Sequence, residues 1–227
     1  MTRITCAIDG GPSVVVAPRQ LVIAGWAGRD RDEIEHHIAE LAAIGVKRPS
    51  SVPCFYEVSP SLLTTDARID VIGTQSSGEV EVVLLHDAEA GLLVGIGSDH
   101  TDRKVEGYDV AVSKQVCAKP LGATLWRYDE VAPHWDALIA RSWCIDAAGE
   151  RVRYQEGTLA RLLPPQRLIG DAFGDAGLPV GAVLFCGTQS IIGKLSPSPA
   201  FEIELHDPVL DRSLRHRYAV DALAHVE

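Results

Sequence analysis

Glu79 and Glu81 stand two residues apart in Gly78-Glu79-Val80-Glu81-Val82-Val83-Leu84-Leu85, a stretch that is otherwise β-branched and aliphatic. That composition favours a strand, and the strand period of two puts both carboxylates on one face. A second apolar run, Leu92 to Ile96, leads into Gly97-Ser98-Asp99-His100-Thr101-Asp102-Arg103. A turn at Glu89-Ala90-Gly91 would fold the two runs into a hairpin. Three carboxylates, Glu79, Glu81 and Asp99, then converge from neighbouring strand ends. Hard oxygen ligands that leave room for water and a chelating substrate suit Mg²⁺ or Mn²⁺. On spacing alone, a half-exposed strand with acidic residues facing solvent is an equal alternative.

Other residues carry chemistry of their own. His37 and Glu40 lie three apart on a helix predicted from about Asp32 to Ile44, where Ile34, Ile38 and Leu41 recur at helical spacing and Gly45 supplies the stop. An i, i+3 His–Glu pair can fix one imidazole tautomer and raise its basicity, although an ordinary surface pair has the same spacing. Lys114 sits among small and apolar neighbours, as a base of depressed pKa, a carboxylate clamp or a snorkelling surface lysine. The run Ala182 to Cys186 ends at Gly187-Thr188, whose backbone N–H groups and hydroxyl suit an anionic ligand. Cys117 and Cys186 lie in apolar runs without a His or Asn at a recognisable spacing, which argues for inert thiols over nucleophiles. Ser98 is not in a Gly-x-Ser-x-Gly elbow, since Gly97 directly precedes it.

The elements that must position these groups read mostly as strands. Residues 1–25 hold three short apolar runs, Ile4 to Ile8, Val14 to Ala17 and Leu21 to Ala24. Residues 47–65, rich in Pro and Ser around Phe55-Tyr56, read as a long loop. A second helix is predicted over 128–143, followed by a strand near Val152 to Tyr154 and a short helix from Leu159 to Leu163. Pro164-Pro165 stops that helix and can start another. Ala200 to Leu205 and Ser213 to Val220 read as a closing hairpin. With 227 residues and 46% apolar composition the chain can bury a good core as one domain. The net charge of −10 argues against a nucleic-acid surface or anionic membrane as partner. No apolar run has membrane-spanning length, the first residues break too early for a signal peptide, and five scattered cysteines fit reduced thiols. The expected location is the cytoplasm.

Six segments fall in one order along the chain: Gly25 ahead of His37-Ile38-Ala39-Glu40; Pro53-Cys54-Phe55-Tyr56 with Ser59-Pro60-Ser61; Glu79-Val80-Glu81; Ser98 to Arg103; Lys114 before Pro120-Leu121-Gly122-Ala123; and Gly181 to Gln189. Together, from about Ile23 to Gly193, they resemble the fumarylacetoacetate hydrolase superfamily, in its short members and more narrowly in its prokaryotic DUF2848-like branch. The resemblance implies an α+β, mainly β fold, a rolled mixed sheet or sandwich with flanking helices. It implies a single domain over 1–227, with N-terminal strands, a lid helix and a loop in 1–65 and a catalytic β core in 66–227. A homodimer is implied as well.

The same resemblance implies a Mg²⁺- or Mn²⁺-dependent hydrolase that cleaves a C–C bond in a small oxo-acid or dicarbonyl compound. Glu79, Glu81 and Asp99 would hold the metal, which would stabilise an enolate-like charge. His37, oriented by Glu40, would activate water. Lys114, Arg103, Tyr56, Gly187 and Thr188 would line or orient the substrate. Decarboxylation, isomerisation, dehydration, and amide or lactone hydrolysis remain alternatives on the same scaffold, as does a non-catalytic small-molecule-binding protein. Departures from the family pattern leave three points open. Asp109 competes with Asp99 as third ligand, Lys119 competes with Lys114, and Gln189 replaces a usual Pro. The short Glu81–Asp99 interval lacks a helix that relatives carry, and Glu57 stands where they often place Lys or Pro.

Overall fold

Alternation of buried and exposed positions marks the first strand, β1 (Ile4–Ile8), which covers Ile4, Cys6 and Ile8 and exposes the residues between. A computed structural model of the chain describes residues 3–43 and 48–224; the side chains of residues 33, 37 and 40–43 lie outside that description. β1 turns back into β2 (Ser13–Val16), and β3 (Gln20–Gly25) leads to α1 (Arg31–Ala43). Four strands follow: β4 (Cys54–Val58), β5 (Leu63–Thr64), β6 (Arg68–Ile72) and β7 (Ser76–Ser77). β8 (Val80–Asp87) and β9 (Gly91–Ser98) form the predicted hairpin, with Val80 opposite Ser98 and Asp87 opposite Gly91. Gly91, at φ +77°, closes its turn, and Asp87 Oδ1 accepts from the Glu89 and Ala90 amides.

The site segment follows as β10 (Thr101–Asp102), α2 (Arg103–Glu106), α3 (Val110–Gln115) and β11 (Lys119–Pro120). The remainder comprises β12 (Thr124–Arg127), α4 (Tyr128–Val131), β13 (Ile139–Ile145), β14 (Arg151–Thr158), α5 (Pro165–Phe173), β15 (Ala182–Thr188), β16 (Ala200–Asp207) and β17 (Arg212–Leu223). An eight-stranded mixed sheet runs β2-β1-β12-β9-β8-β15-β3-β4, and a five-stranded sheet runs β14-β13-β16-β17-β6.

The run Val82 to Leu85 of β8 is apolar because both of its faces are covered. Val82 and Leu84 pack toward Ala140, Ile203, Leu205 and Leu214 of the smaller sheet. Val83 and Leu85 face a second cluster to which all eight strands of the larger sheet contribute, among them Cys6, Val16, Ile23, Val58, Leu93, Leu125 and Phe185. One core shared by all the strands requires the sheet to curl around it. The expected mainly β fold of curled sheets with flanking helices is what the chain adopts.

Three predicted elements differ; the short helix expected from Leu159 to Leu163 is a single 3₁₀ turn, Leu159–Arg161, with Leu162 extended. Cys54–Val58 is not loop but strand, antiparallel to β3 from Leu21↔Val58 to Gly25↔Cys54. The helix expected over 128–143 ends at Val131; a 3₁₀ segment, Ala132–Ala137, follows, with His134 out of helical conformation, and Ile139 onward is strand. Pro133 cannot continue an α-helical hydrogen-bond ladder, and Ile139–Ile145 finds partners on both sides, β14 and β16.

Candidate active site

The open end of the β8–β9 hairpin brings the three carboxylates together. Glu79 immediately precedes β8, Glu81 lies one residue inside it, and Asp99 immediately follows β9. The Asp99 amide donates to the Glu79 carbonyl over 2.9 Å, closing the hairpin at the site. One oxygen from each of the three lies within 4.8 Å of the others. Asp99 is fully buried, Glu81 nearly so, and Glu79 half-buried. Glu81 Oε2 accepts from the Gly187 amide at 2.8 Å. Gly187 has φ +92°, and a Cβ there would collide with the Ala27 side chain, so this close donor requires glycine.

Basic groups come from the next two short helices. Asp102 caps α2 through the Lys104 and Val105 amides, and Asp109 caps α3 through the Val112 amide at 2.9 Å. Arg103, at the start of α2, pairs with Glu79 at 3.1 Å and Glu106 at 3.0 Å and donates to Ser77 Oγ at 2.7 Å. Lys114, in the last turn of α3, donates to Asp99 Oδ2 and lies 3.9 Å from Glu79 Oε2. The Tyr56 ring covers it with its centroid 5.7 Å from the ammonium. Lys119 approaches the other face of Asp99, 3.4 Å from Oδ1.

The charges divide the carboxylates. Burial and the neighbouring Asp99 charge push Glu81 well above the usual carboxylate range. Burial also pushes Asp99 up, but Lys114 and Lys119 more than reverse it and hold Asp99 below its ordinary value. Burial alone would lower Lys114; Asp99 and Glu79 instead raise it, so the lysine is a charged partner here and not a depressed base. Burial pulls Lys119 below the ordinary lysine value against the pull of Asp99.

A family model described as "Protein of unknown function (DUF2848)" matches residues 24–218. The chain belongs to this family. No curated protein matches the sequence. Among solved structures, a yeast protein, ynq8, described as a fumarylacetoacetate hydrolase family protein, is similar at TM-score 0.66 and 14% identity over 92% of this chain and 95% of its own. Cg1458 is similar at TM-score 0.65 and 16% identity, over 93% and 80%. A 2-keto-3-deoxy-D-arabinonate dehydratase, complexed with magnesium and 2,5-dioxopentanoate, is similar at TM-score 0.66 and 14% identity, over 95% and 78%. The fumarylacetoacetate hydrolase-like fold expected from the sequence is therefore the observed one.

Within this DUF2848 chain, the structure gathers Glu79, Glu81, Asp99, Arg103, Lys114 and Tyr56 at one place. Asp109 is exposed and spent on capping α3, so it does not compete with Asp99. Gly187 and Thr188 adjoin the site, but their donors are engaged: the amide on Glu81, the hydroxyl on the Val80 carbonyl at 2.9 Å. The His37 and Glu40 side chains fall outside the described residues, although α1 carries both positions. Glu57 is exposed and accepts from Gln20, and the fully buried Gln189 side chain donates to the Thr158 carbonyl over 3.3 Å. The thiols of Cys117 and Cys186 are raised by burial, the first to about 11, as suits inert side chains.

Gln155 is the residue that sequence reasoning missed. Fully buried on β14, it accepts from the Val80 amide and the Ser142 hydroxyl, each at 2.9 Å. It donates to Thr188 Oγ1 at 2.8 Å and the Gln189 carbonyl at 2.6 Å. The Val80 peptide, between the two glutamates, is thus held on both sides.

The residues present fit a divalent cation of the magnesium type. The donors are three carboxylates, and Asp99 Oδ1, fully buried and 3.4 Å from the Lys119 ammonium, accepts no hydrogen bond, which leaves it a lone pair for a cation.

Proposed function

We propose that the chain is a divalent-metal-dependent enzyme acting on a small 2-oxo acid or related dicarbonyl compound, with hydrolytic C–C cleavage as the reaction. The observation that carries this reading is the buried Glu79–Glu81–Asp99 cluster with Lys114 and Arg103 against it. These three carboxylates would hold Mg²⁺ or Mn²⁺. Bound there, the cation supplies Lewis-acid neutralisation of negative charge gathering on a substrate oxo group.

The chain's own residues would do the rest. Arg103, held in place by Glu79, Glu106 and Ser77, would present its guanidinium to a substrate carboxylate. Lys114, kept charged by its acidic neighbours, would donate to an oxygen becoming anionic. The half-buried Tyr56 ring over Lys114 would keep water from that ammonium. His37, oriented by Glu40, would take the proton of the attacking water. Dehydration is a second reading, favoured by the similar fold of the dehydratase and its 2,5-dioxopentanoate complex. It needs the same clamp without an attacking water. Homodimeric assembly belongs to the same proposal and is checked by sedimentation velocity.

The test is calorimetric titration of Mn²⁺ into chelator-treated protein, with and without oxalate as a chelating probe. Wild type should bind, and the Glu79→Ala/Glu81→Ala double variant should bind about 100-fold more weakly or not at all, since it loses first-contact ligands and not merely their supports. Absence of wild-type binding under both conditions would overturn the reading. Once binding is established, a panel of 2-oxo acids separates cleavage from dehydration by the products.

A further inference from the structure

Lys119 is fully buried on β11, its backbone fixed by parallel pairing with β5. Its ammonium lies 2.8 Å from the His100 carbonyl and 2.9 Å from the Cys117 carbonyl, and it donates to the Lys114 carbonyl as well. Asp99 Oδ1 stands 3.4 Å away as a fourth oxygen. Three carbonyl acceptors call for three N–H donors, which the charged ammonium has and a neutral amine lacks. An unpartnered buried ammonium is strongly unfavourable even after relaxation, so these oxygens are what keep the charge inside. A compact cation ringed by backbone carbonyls is also how proteins hold potassium in place of its water shell.

We propose that the Lys119 ammonium is a built-in monovalent cation, filling a carbonyl cage that potassium or an alkylammonium ion would occupy if the side chain were cut back. The cage has a positioning role. His100 is the residue after Asp99, while Lys114 and Cys117 lie at the end of α3, where helices leave carbonyls without intrahelical partners. Gathering these carbonyls around one charge ties the end of β9 to the helix whose Lys114 reaches back to Asp99 Oδ2. Two ammonium groups thereby grip the two oxygens of one carboxylate from opposite chain segments. This goes beyond the proposed reaction and does not depend on a divalent metal.

The experiment uses the chelator-treated full chain and its Lys119→Ala variant. Thermal unfolding is followed in tetramethylammonium, potassium or n-propylammonium chloride at equal ionic strength. Propylammonium restores the carbons and the ammonium that the substitution removes, whereas tetramethylammonium is too large and has no N–H. The variant should melt below wild type in tetramethylammonium and recover, saturably, about half or more of the loss in the other two, as a ligand of the folded state does. Wild type should respond to none of them selectively. No loss on truncation, or equal recovery in all three salts, overturns the proposal.

Should Lys119→Ala fail to fold in every salt, Lys119→Gln keeps N–H donors in the space and drops the charge. Lysine-¹⁵N-labelled wild type should then show a slowly exchanging ammonium signal at neutral pH that Lys119→Gln lacks. Absence of that signal in wild type also overturns the proposal. Failure of Mn²⁺ to bind wild type would defeat the metal reading and leave these melting results standing.

Discussion

His100, next to Asp99, shows how much of the site is fixed by groups that never face it. Its Nδ1 lies 3.1 Å from the Tyr218 hydroxyl and its Nε2 2.9 Å from the Ser76 hydroxyl. Tyr218 is bonded in turn to Ser98, whose hydroxyl accepts from the Glu79 amide at 3.2 Å. Burial, helped by the Lys119 and Arg103 charges, pushes His100 down to about 3 from an ordinary value of 6.5. Between these values the unfolded chain takes up a proton that the folded chain refuses. The stabilisation is therefore complete above about pH 6.5 and is lost as pH falls toward 3. It amounts to about 2 kcal/mol lost from this residue between pH 7.5 and pH 5. Urea unfolding at those two values should show the drop, and His100→Gln should flatten it by about that amount. Equal pH slopes for the two proteins would show that His100 is not held neutral.

At the scale of elements, β14 reaches into the site through one side chain. Gln155 →Met would leave the Val80 amide without its acceptor and should cost roughly 1–3 kcal/mol. Because that peptide separates the two glutamates, Mn²⁺ affinity should also fall about tenfold, while Gln155→Glu, which keeps the acceptor, should lose less. Titration of both variants decides it; unchanged affinity in the Met variant would leave Gln155 with packing alone. The sequence could not show this, since Gln155 and Val80 are 75 residues apart and a polar residue in a strand usually faces water. The three carboxylates were legible because their spacing is local to one hairpin, whose turn and apolar runs are written in consecutive residues. The start of α1 was legible from its own periodicity, while its predicted end at Ile44 and Gly45 lies outside the described residues. β4 and β13 were not, because each is a strand by virtue of remote partners, β3 for one and β14 and β16 for the other. Lys114 stayed ambiguous in sequence for the same reason: only the docking of α3 brings it to Asp99.

The whole molecule is interleaved in a way that residue order does not suggest. β3, from the first 25 residues, lies between β15 and β4, and β1 lies between β2 and β12, so both are interior strands of the larger sheet. Of the site carboxylates, Glu81 lies on β8, which pairs with β15, and β15 pairs with β3 on its other side. The smaller sheet shares a core with the same β8 through Ile203, Leu205 and Leu214. Damage to the N-terminal strands should therefore propagate to both sheets and not detach as a separate step. Ile23, fully buried on β3 in the core common to the larger sheet, provides the test. Ile23→Ala should destabilise the chain by roughly 2–5 kcal/mol. Trp126 lies in the larger sheet and Trp143 in the smaller, so single-tryptophan backgrounds that keep one of the two and carry Phe at the other and at Trp26 and Trp135 separate their fluorescence. Both signals, and the far-ultraviolet circular dichroism, should shift together to one lower midpoint. If the Trp143 signal held its wild-type midpoint while the Trp126 signal moved, the two sheets would unfold independently. The site, in which Gln155 of the smaller sheet braces Val80 at the start of β8, would then come apart as the larger sheet melted.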